Sequence, residues 1–352
     1  MNPLKPLAYL YGKITQWRNQ LYDSKKRVSI QFNLPIIAVG NLNTGGTGKT
    51  PHVAYLVAYL QQQNYHTAVL SRGYKRRTTG FVLADHNSTA HDIGDEPAQL
   101  QKKFPQLTVA VAENRALGIP MLLHTAATEP QVIILDDAFQ HRSVQPQLSI
   151  LLTEYDRPYT RDQLLPIGRL REPIAGAARA DIIIVSKSPA TLHDADKQKM
   201  IAELQALPHQ TVLFSHLVYG DIYPLPFSQP INLAEIDKQK IGVLLLCGIA
   251  QTEAIEQYVR SQYAQVITLY FADHHRYTTQ NLQQIKQKYD QLPTQQKIVL
   301  TTEKDATRLQ LLETDITRLQ LPIYCLPVKV QFNPSDTQLL QQKINNCLAF
   351  SS

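Results

Sequence analysis

The sequence predicts an α/β protein of two domains: first a mostly parallel sheet covered by helices, then a smaller α/β unit. Short apolar, β-branched runs alternate with helical or loop stretches through the first half of the chain, as βαβ units require. A second series of the same kind begins near Gly242. The length of 352 residues also corresponds to about two domains at roughly 150 residues each. Hydrophobic residues at 43% against charged residues at 18% exclude a disordered or collagen-like chain.

Residues 1–30 form a segment of their own. Leu4, Leu7, Tyr11, Ile14, Trp17 and Leu21 recur at helical spacing. Lys5, Lys13, Arg18, Lys25, Lys26 and Arg27 stand against Asp23, so the segment carries +5 of a net charge of +6. A basic helix with an aliphatic and aromatic stripe fits an amphipathic, membrane-lying segment. It equally fits a helix docked on the protein's own core. With the charge gathered here, no basic groove with stacking aromatics is left for nucleic acid.

Residues 31–215 are the first domain. Leu34 to Val39 reads as a strand, followed by a Gly-rich turn and a helix through Val53 to Leu60. Strand-like runs recur at Thr67 to Leu70, Thr108 to Ala112, Val132 to Leu135, Leu148 to Leu152 and Ile182 to Val185. Residues 216–352 are the second domain. Strands are expected at Val243 to Cys247, Val266 to Tyr270 and Lys297 to Thr301, with helices at Thr252 to Gln262 and Thr279 to Leu292. The extended stretches Thr211 to Leu225 and Ile323 to Phe332 are expected to pair as a short two-stranded β linker.

The chemistry is concentrated in a few blocks. Gly40 to Pro51 contains Asn43, Thr44, Gly45, Gly46, Thr47, Gly48, Lys49, Thr50 and Pro51 between a strand and a helix, the setting of a phosphate-binding loop. Small residues let backbone N–H groups converge on phosphate oxygens at a helix N-terminus. Lys49 would reach the β- and γ-phosphates, and the Thr50 hydroxyl would ligate magnesium. Asn43 stands where the usual pattern has Gly. Val132 to Leu135 leads into Asp136 and Asp137, a buried strand ending in two carboxylates, a pair that a magnesium ion would neutralise. Carboxylate and histidine groups that could accept a hydroxyl proton follow other strands, at Asp92, Asp95 and Glu96 and at Asp273, His274 and His275.

Taken together, these blocks resemble the tetraacyldisaccharide 4'-kinase (lipid A 4'-kinase) family of Gram-negative bacteria. The resemblance rests on Gly40 to Pro51, Ser71-Arg72-Gly73-Tyr74, Gly94-Asp95-Glu96-Pro97, Asp136 to Arg142, Leu170-Arg171-Glu172-Pro173, Phe271-Ala272-Asp273-His274 and Thr301 to Asp305, in that order. Ala138 stands where the family usually has Gly, and Arg169 where Pro is commoner.

The resemblance implies two α/β/α domains, the first P-loop NTPase-like. It implies transfer of the γ-phosphate of ATP, with Mg2+, to the 4'-hydroxyl of an acylated glucosamine disaccharide 1-phosphate. Asp95 is then the catalytic base, His274 its partner and Lys49 the phosphate-binding lysine. Arg171 joins the nucleotide site, and Asp136, Asp137 and Glu172 join Thr50 as candidate metal ligands. Tyr74, Arg115, Gln140 and His141 are candidate head-group contacts. The implied place is the cytoplasmic face of the inner membrane, as a peripheral protein on an anionic surface. No apolar run approaches the roughly 18 residues of a membrane span, and neither a signal peptide nor an obligate protein partner is evident. Cys247, Cys325 and Cys347 are odd in number and far apart, which suits a reducing compartment. The competing reading is a membrane-associated regulatory NTPase, which shares the loop and the acidic pair but leaves the Asp95 and His274 blocks unexplained.

Overall fold

The computed structural model describes residues 3–231 and 237–349. The described residues up to 218 and from 329 onward form one compact unit, and those between 219 and 328 another.

The first unit begins with helix α1 (Lys5–Asp23). Strands β1 (Ile36–Asn41), β2 (Thr67–Ser71), β3 (Val82–Leu83), β4 (Thr108–Val111), β5 (Val132–Asp136), β6 (Leu148–Glu154), β7 (Ile182–Ser186) and β8 (Thr211–Tyr219) follow in turn. Between them lie α2 (Lys49–Gln62), α3 (Ala90–Ile93), α4 (Asp95–Lys103), α5 (Arg115–Thr125) and α6 (Asp194–Leu204). The second unit contributes β9 (Tyr223–Pro224), β10 (Ile241–Cys247), α7 (Glu253–Gln262), β11 (Gln265–Tyr270), α8 (Thr279–Asp290), β12 (Gln296–Thr302), α9 (Glu303–Leu309), α10 (Glu313–Leu319) and β13 (Ile323–Leu326). The chain then returns to the first unit as β14 (Val328–Phe332) and α11 (Pro334–Ala349).

Among the described residues the first unit holds a nine-stranded sheet in the order β14-β8-β7-β6-β1-β5-β2-β4-β3. Every pair from β8 through β4 runs parallel, and β3 is antiparallel to β4. All residues of β1, β2, β5, β6 and β7 are buried. Both sheet faces are therefore covered, which is why these strands read as continuous apolar runs rather than as alternation. One face packs Val53, Val57 and Leu60 of α2 onto Ile37 and Val39; the other packs Ile119 and Leu122 of α5 onto Ile36 and Leu70. Each such side chain contributes about 1.5–3 kcal/mol by leaving water.

The chain order reverses at β1, which lies between β5 and β6. That switch point, at the carboxyl ends of the strands, is where open α/β sheets open a crevice for ligands. The two-residue β3 escaped the sequence reading, being too short to show a period.

Among the described residues the second unit holds a five-stranded sheet in the order β11-β10-β12-β13-β9, parallel except for β9. The expected linker is divided between the sheets: β8 lies beside β14 in one, and β9 pairs antiparallel with β13 in the other. The expected second domain also loses its end. Leu340, Ile344, Cys347 and Leu348 of α11 join the same apolar cluster as Ile150 and Leu152, so the tail completes the first unit.

Helix α1 docks one face on the first unit and leaves the other exposed. Ala8, Gly12, Thr15 and Asn19, at steps of four, three and four, are buried against the first unit. Small and polar side chains let the helix approach closely: a Cβ on Gly12 would lie 2.7 Å from the Leu164 side chain. The opposite face leaves Leu7, Leu10, Ile14 and Trp17 55–60% exposed. Tyr11 and Leu21, expected in the apolar stripe, are only half-exposed, and the Tyr11 hydroxyl donates to the Arg171 carbonyl at 2.7 Å. No helix among the described residues is long and apolar enough to cross a membrane.

Candidate active site

The loop from Leu42 to Gly48 joins β1 to α2, and Gly48 enters the helix in the left-handed region at φ 81°. Asn41, at the end of β1, is fully buried and acts as the hub. Its Nδ2 donates to Thr47 Oγ1 at 2.9 Å, and its Oδ1 accepts from Lys49 Nζ at 3.2 Å and from Arg171 Nη2. Its carbonyl accepts from Gln140 Nε2 at 2.9 Å and Arg171 Nη2 at 2.8 Å.

Three further ties shape the loop. The Thr44 N–H donates to the Arg169 carbonyl at 2.7 Å. Ser186 at the end of β7 donates to the Thr47 carbonyl at 2.9 Å. His52 Nδ1 lies 2.7 Å from the Gly48 carbonyl and its Nε2 lies 2.9 Å from Ser215 Oγ on β8. Burial holds the His52 pKa down at about 4, so at neutral pH the uncharged ring ties the loop to the sheet. Asn43, expected to touch nucleotide, turns its amide away to Asp162 Oδ2 at 2.9 Å, leaving only its backbone for that role. Thr50 is buried in the first turn of α2.

Asp136 and Asp137 end β5 beside this loop and differ sharply. Asp136 is 4% exposed; Ser71 Oγ donates to its Oδ2 at 3.1 Å, while its Oδ1 is buried without a hydrogen-bond partner among the described residues. Burial, then the Asp137 charge, push its pKa up to about 6. Asp137 sits in the left-handed region at φ 48°, which turns its carboxylate toward Arg171 at 2.8 and 3.1 Å and Lys49 at 3.6 Å. Despite partial burial, those cations hold it well below the usual carboxylate range.

The orphaned Asp136 oxygen, the neighbouring Asp137 and the Thr50 hydroxyl suit a magnesium ion, a hard cation that takes oxygen ligands and completes its shell with phosphate and water. Glu172, expected among these ligands, is instead structural. It is fully buried, with Arg179 Nη2 2.9 Å from both oxygens, Gln140 Nε2 at 2.9 Å and Asn19 Nδ2 at 2.8 Å. The Asn19 bond ties α1 to this carboxylate, and the Arg179 and Gln140 bonds hold it in place.

Two other expected roles change. Arg115 is fully buried and donates to the Ala112 and Asp136 carbonyls at 2.7 and 3.1 Å. It backs the acidic pair from inside the protein and cannot reach a head group. Gln140 likewise points inward, to Asn41 and Glu172. His141 remains beside the acidic strand end, its pKa lowered to about 4 by burial and then by the Arg115 and Arg72 charges. Tyr74 is exposed.

Asp95 is the first residue of α4 and follows Gly94, whose φ of 91° few side chains adopt. A Cβ on Gly94 would stand 3.1 Å from the Gly73 backbone and from the Tyr74 carbonyl. The Asp95 and Tyr74 blocks are thus packed backbone to backbone. Asp92, by contrast, is a cap: with Thr89 it closes a capping box on α3. His274 lies in the second unit at φ 60°, with Arg308 Nη2 3.3 Å from its Nδ1.

Sequence reasoning missed Asn41 as a hub, His52, Arg179 and Asn19. Asn41 alone had a visible signal, its place inside the loop block. His52 and Asn19 act through partners 163 and 153 positions away, Ser215 and Glu172, and Arg179 reaches back seven positions to Glu172 across a turn that spacing alone does not show.

The family model for tetraacyldisaccharide-1-P 4'-kinase matches residues 2–348. The chain is 44% identical over 332 residues to a tetraacyldisaccharide 4'-kinase of Parabacteroides distasonis, covering 94% of this chain and 89% of that one. It is 42% identical over 351 residues to that of Bacteroides thetaiotaomicron, covering 97% and 91%. A crystal structure of LpxK from Aquifex aeolicus in complex with ATP superposes with a TM-score of 0.75 at 27% identity, covering 98% of both chains.

Proposed function

The chain belongs to the tetraacyldisaccharide-1-P 4'-kinase family, and we infer from that membership that it transfers the γ-phosphate of ATP to the 4'-hydroxyl of tetraacyldisaccharide 1-phosphate, a step of lipid A biosynthesis. The observation that carries this reading is the convergence of Lys49 and Arg171 on Asp137 beside a phosphate-type loop, in a chain matched to the family almost end to end. Phosphoryl transfer asks for positioning and charge neutralisation more than for covalent chemistry. The loop amides and Lys49 would hold the phosphates, and Arg171 would hold Asp137 in register with them. Asp136, Asp137 and Thr50 would hold a magnesium ion, which would supply positive charge to offset that of the phosphates. Asp95 would accept the proton of the attacking hydroxyl, supported by His274. Tyr74 and the uncharged His141 are the head-group contacts that the burial pattern leaves open.

The acceptor carries acyl chains and lies in a bilayer. The exposed Leu7, Leu10, Ile14 and Trp17 face of α1, with Lys5 and Lys13 on the same helix, supports peripheral attachment to an anionic surface on the cytoplasmic side. The deciding experiment measures ATP turnover with and without the disaccharide lipid. Phosphate should appear on the acceptor, and turnover should depend on it. Acceptor-independent hydrolysis at the same rate would instead favour a regulatory NTPase.

A further inference from the structure

The Thr301 to Asp305 block lies in the second unit and takes no part in the phosphate loop or the acidic pair. Its geometry leads to His274. Thr302 Oγ1 caps α9 by accepting from the Asp305 N–H at 3.1 Å, and donates to Asp305 Oδ2 at 2.8 Å. Asp305 is fully buried. It also accepts from the Gly248 N–H at 2.9 Å, the Tyr277 hydroxyl at 3.1 Å and Arg308 Nη1 at 3.0 Å. Arg308, one turn further along α9, donates from the same Nη1 to the Gly248 carbonyl at 2.9 Å. A Cβ on Gly248 would stand 2.9 Å from Asp305 Oδ1 and 3.2 Å from the Tyr277 hydroxyl, so the close fit needs that glycine. The other end of the guanidinium reaches His274 Nδ1 at 3.3 Å. The His274 N–H bonds to the same Gly248 carbonyl at 3.2 Å.

We propose that Arg308 is a positioning residue, holding the His274 imidazole in the tautomer whose proton sits on Nε2. A guanidinium has donors only and is always charged. Nδ1 of His274 must therefore be the acceptor, and the neutral ring carries its proton on Nε2. Asp273 Oδ2, 3.8 Å from that Nε2, is the carboxylate on the ring's own loop, and it suits a proton there. His275 is turned aside, stacked on Phe271 at 4.4 Å. A buried ion pair such as Asp305–Arg308 adds little net stability; here it sets the direction of one N–H. The ring then offers an Nε2–H as a donor on its free side. The opposite tautomer would offer a lone pair there instead. This inference rests on the reading of His274 as the partner of the base.

The test uses the full-length protein with 15N-labelled histidine, the His274 signals being assigned by their loss in His274→Gln. Near pH 7.5 the wild type should show the Nε2–H pattern at His274; an Nδ1–H pattern overturns the proposal without any further variant. Arg308→Met should lower kcat at least about tenfold, the scale of misaligned acid–base groups, with KM for ATP changed less than about twofold. It should also mix the tautomers. Arg308→Lys, which keeps a donor for Nδ1, should recover most of both signals. A folded Arg308→Met protein with wild-type kcat, or with an unchanged His274 pattern, sinks the proposal. Wild-type kcat in His274→Ala would instead sink the reading of His274 itself.

Discussion

Arg171 holds Asp137 with two hydrogen bonds, 2.8 and 3.1 Å, one to each carboxylate oxygen. The same guanidinium reaches the Asn41 carbonyl at 2.8 Å, so a single planar fork joins the end of β5 to the start of the phosphate loop. Lysine keeps the charge but not the fork. Arg171→Lys should raise KM for ATP about tenfold, the loss of one charge-assisted hydrogen bond, with a smaller fall in kcat. Steady-state kinetics at saturating acceptor check this; an unchanged KM would show that the clamp does not order the nucleotide site.

Asp136 makes binding depend on pH. Its folded-state pKa, about 6, lies above the ordinary value near 4. The folded protein thus binds this proton more tightly than the unfolded chain. Its favourable contribution to stability is full below about pH 4, falls as pH rises through the window to about 6, and is absent above it. A divalent cation competes with the same proton. Magnesium–nucleotide affinity, measured by calorimetry, should therefore rise from about pH 5 to about pH 7 with proton release, and Asp136→Asn should flatten the rise. A variant that kept the wild-type slope would remove Asp136 from the metal site.

Asp95 is proposed to accept the proton of the acceptor hydroxyl. Asp95→Ala should lower kcat by about two orders of magnitude or more, typical for loss of a general base, and leave ATP affinity nearly intact. Turnover equal to the wild type would take Asp95 out of the mechanism.

The docking of α1 shapes the membrane test. Deleting the helix removes Asn19 from the buried Glu172 and Tyr11 from Arg171, so a truncation disturbs the kinase as well as the surface. Replacing Leu7, Leu10, Ile14 and Trp17 together by Ser touches only the exposed face. Liposome flotation should be lost, each apolar residue being worth about 1.5–3 kcal/mol of burial, while the melting temperature stays near the wild type. Trp17 is the only tryptophan, and in the wild type its emission should shift to the blue on anionic vesicles. Flotation unchanged in the variant would end the anchor reading.

The parts of the site legible in the sequence were those made by neighbours along the chain. The loop from Gly40 to Pro51 and the pair Asp136–Asp137 declare themselves because small residues, lysine and acids stand at strand ends. The same acids did not show their opposite environments. Asp136 is buried with one oxygen unpartnered, whereas Asp137 is gripped by Arg171. Glu172 shows the limit most clearly: in the sequence it is one more acid beside a functional arginine. Gln140 and Asn19, 32 and 153 positions away, together with Arg179 reaching back across the following turn, make it a structural anchor.

By itself the sequence determined the alternation of strands and helices, the loop, the acidic strand end, the family and the gathering of charge in residues 1–30, since each is written in local spacing or residue type. Tertiary structure alone decided which face of α1 docks, that α11 completes the first unit and that Arg115 is sealed behind Asp136. It also decided that Arg308 reaches His274, 34 positions away in the chain. The physical reason is common to all four: whether a polar group is a ligand, an anchor or a surface charge depends on which donors and acceptors share its buried space. Those partners come from distant segments that only folding brings together.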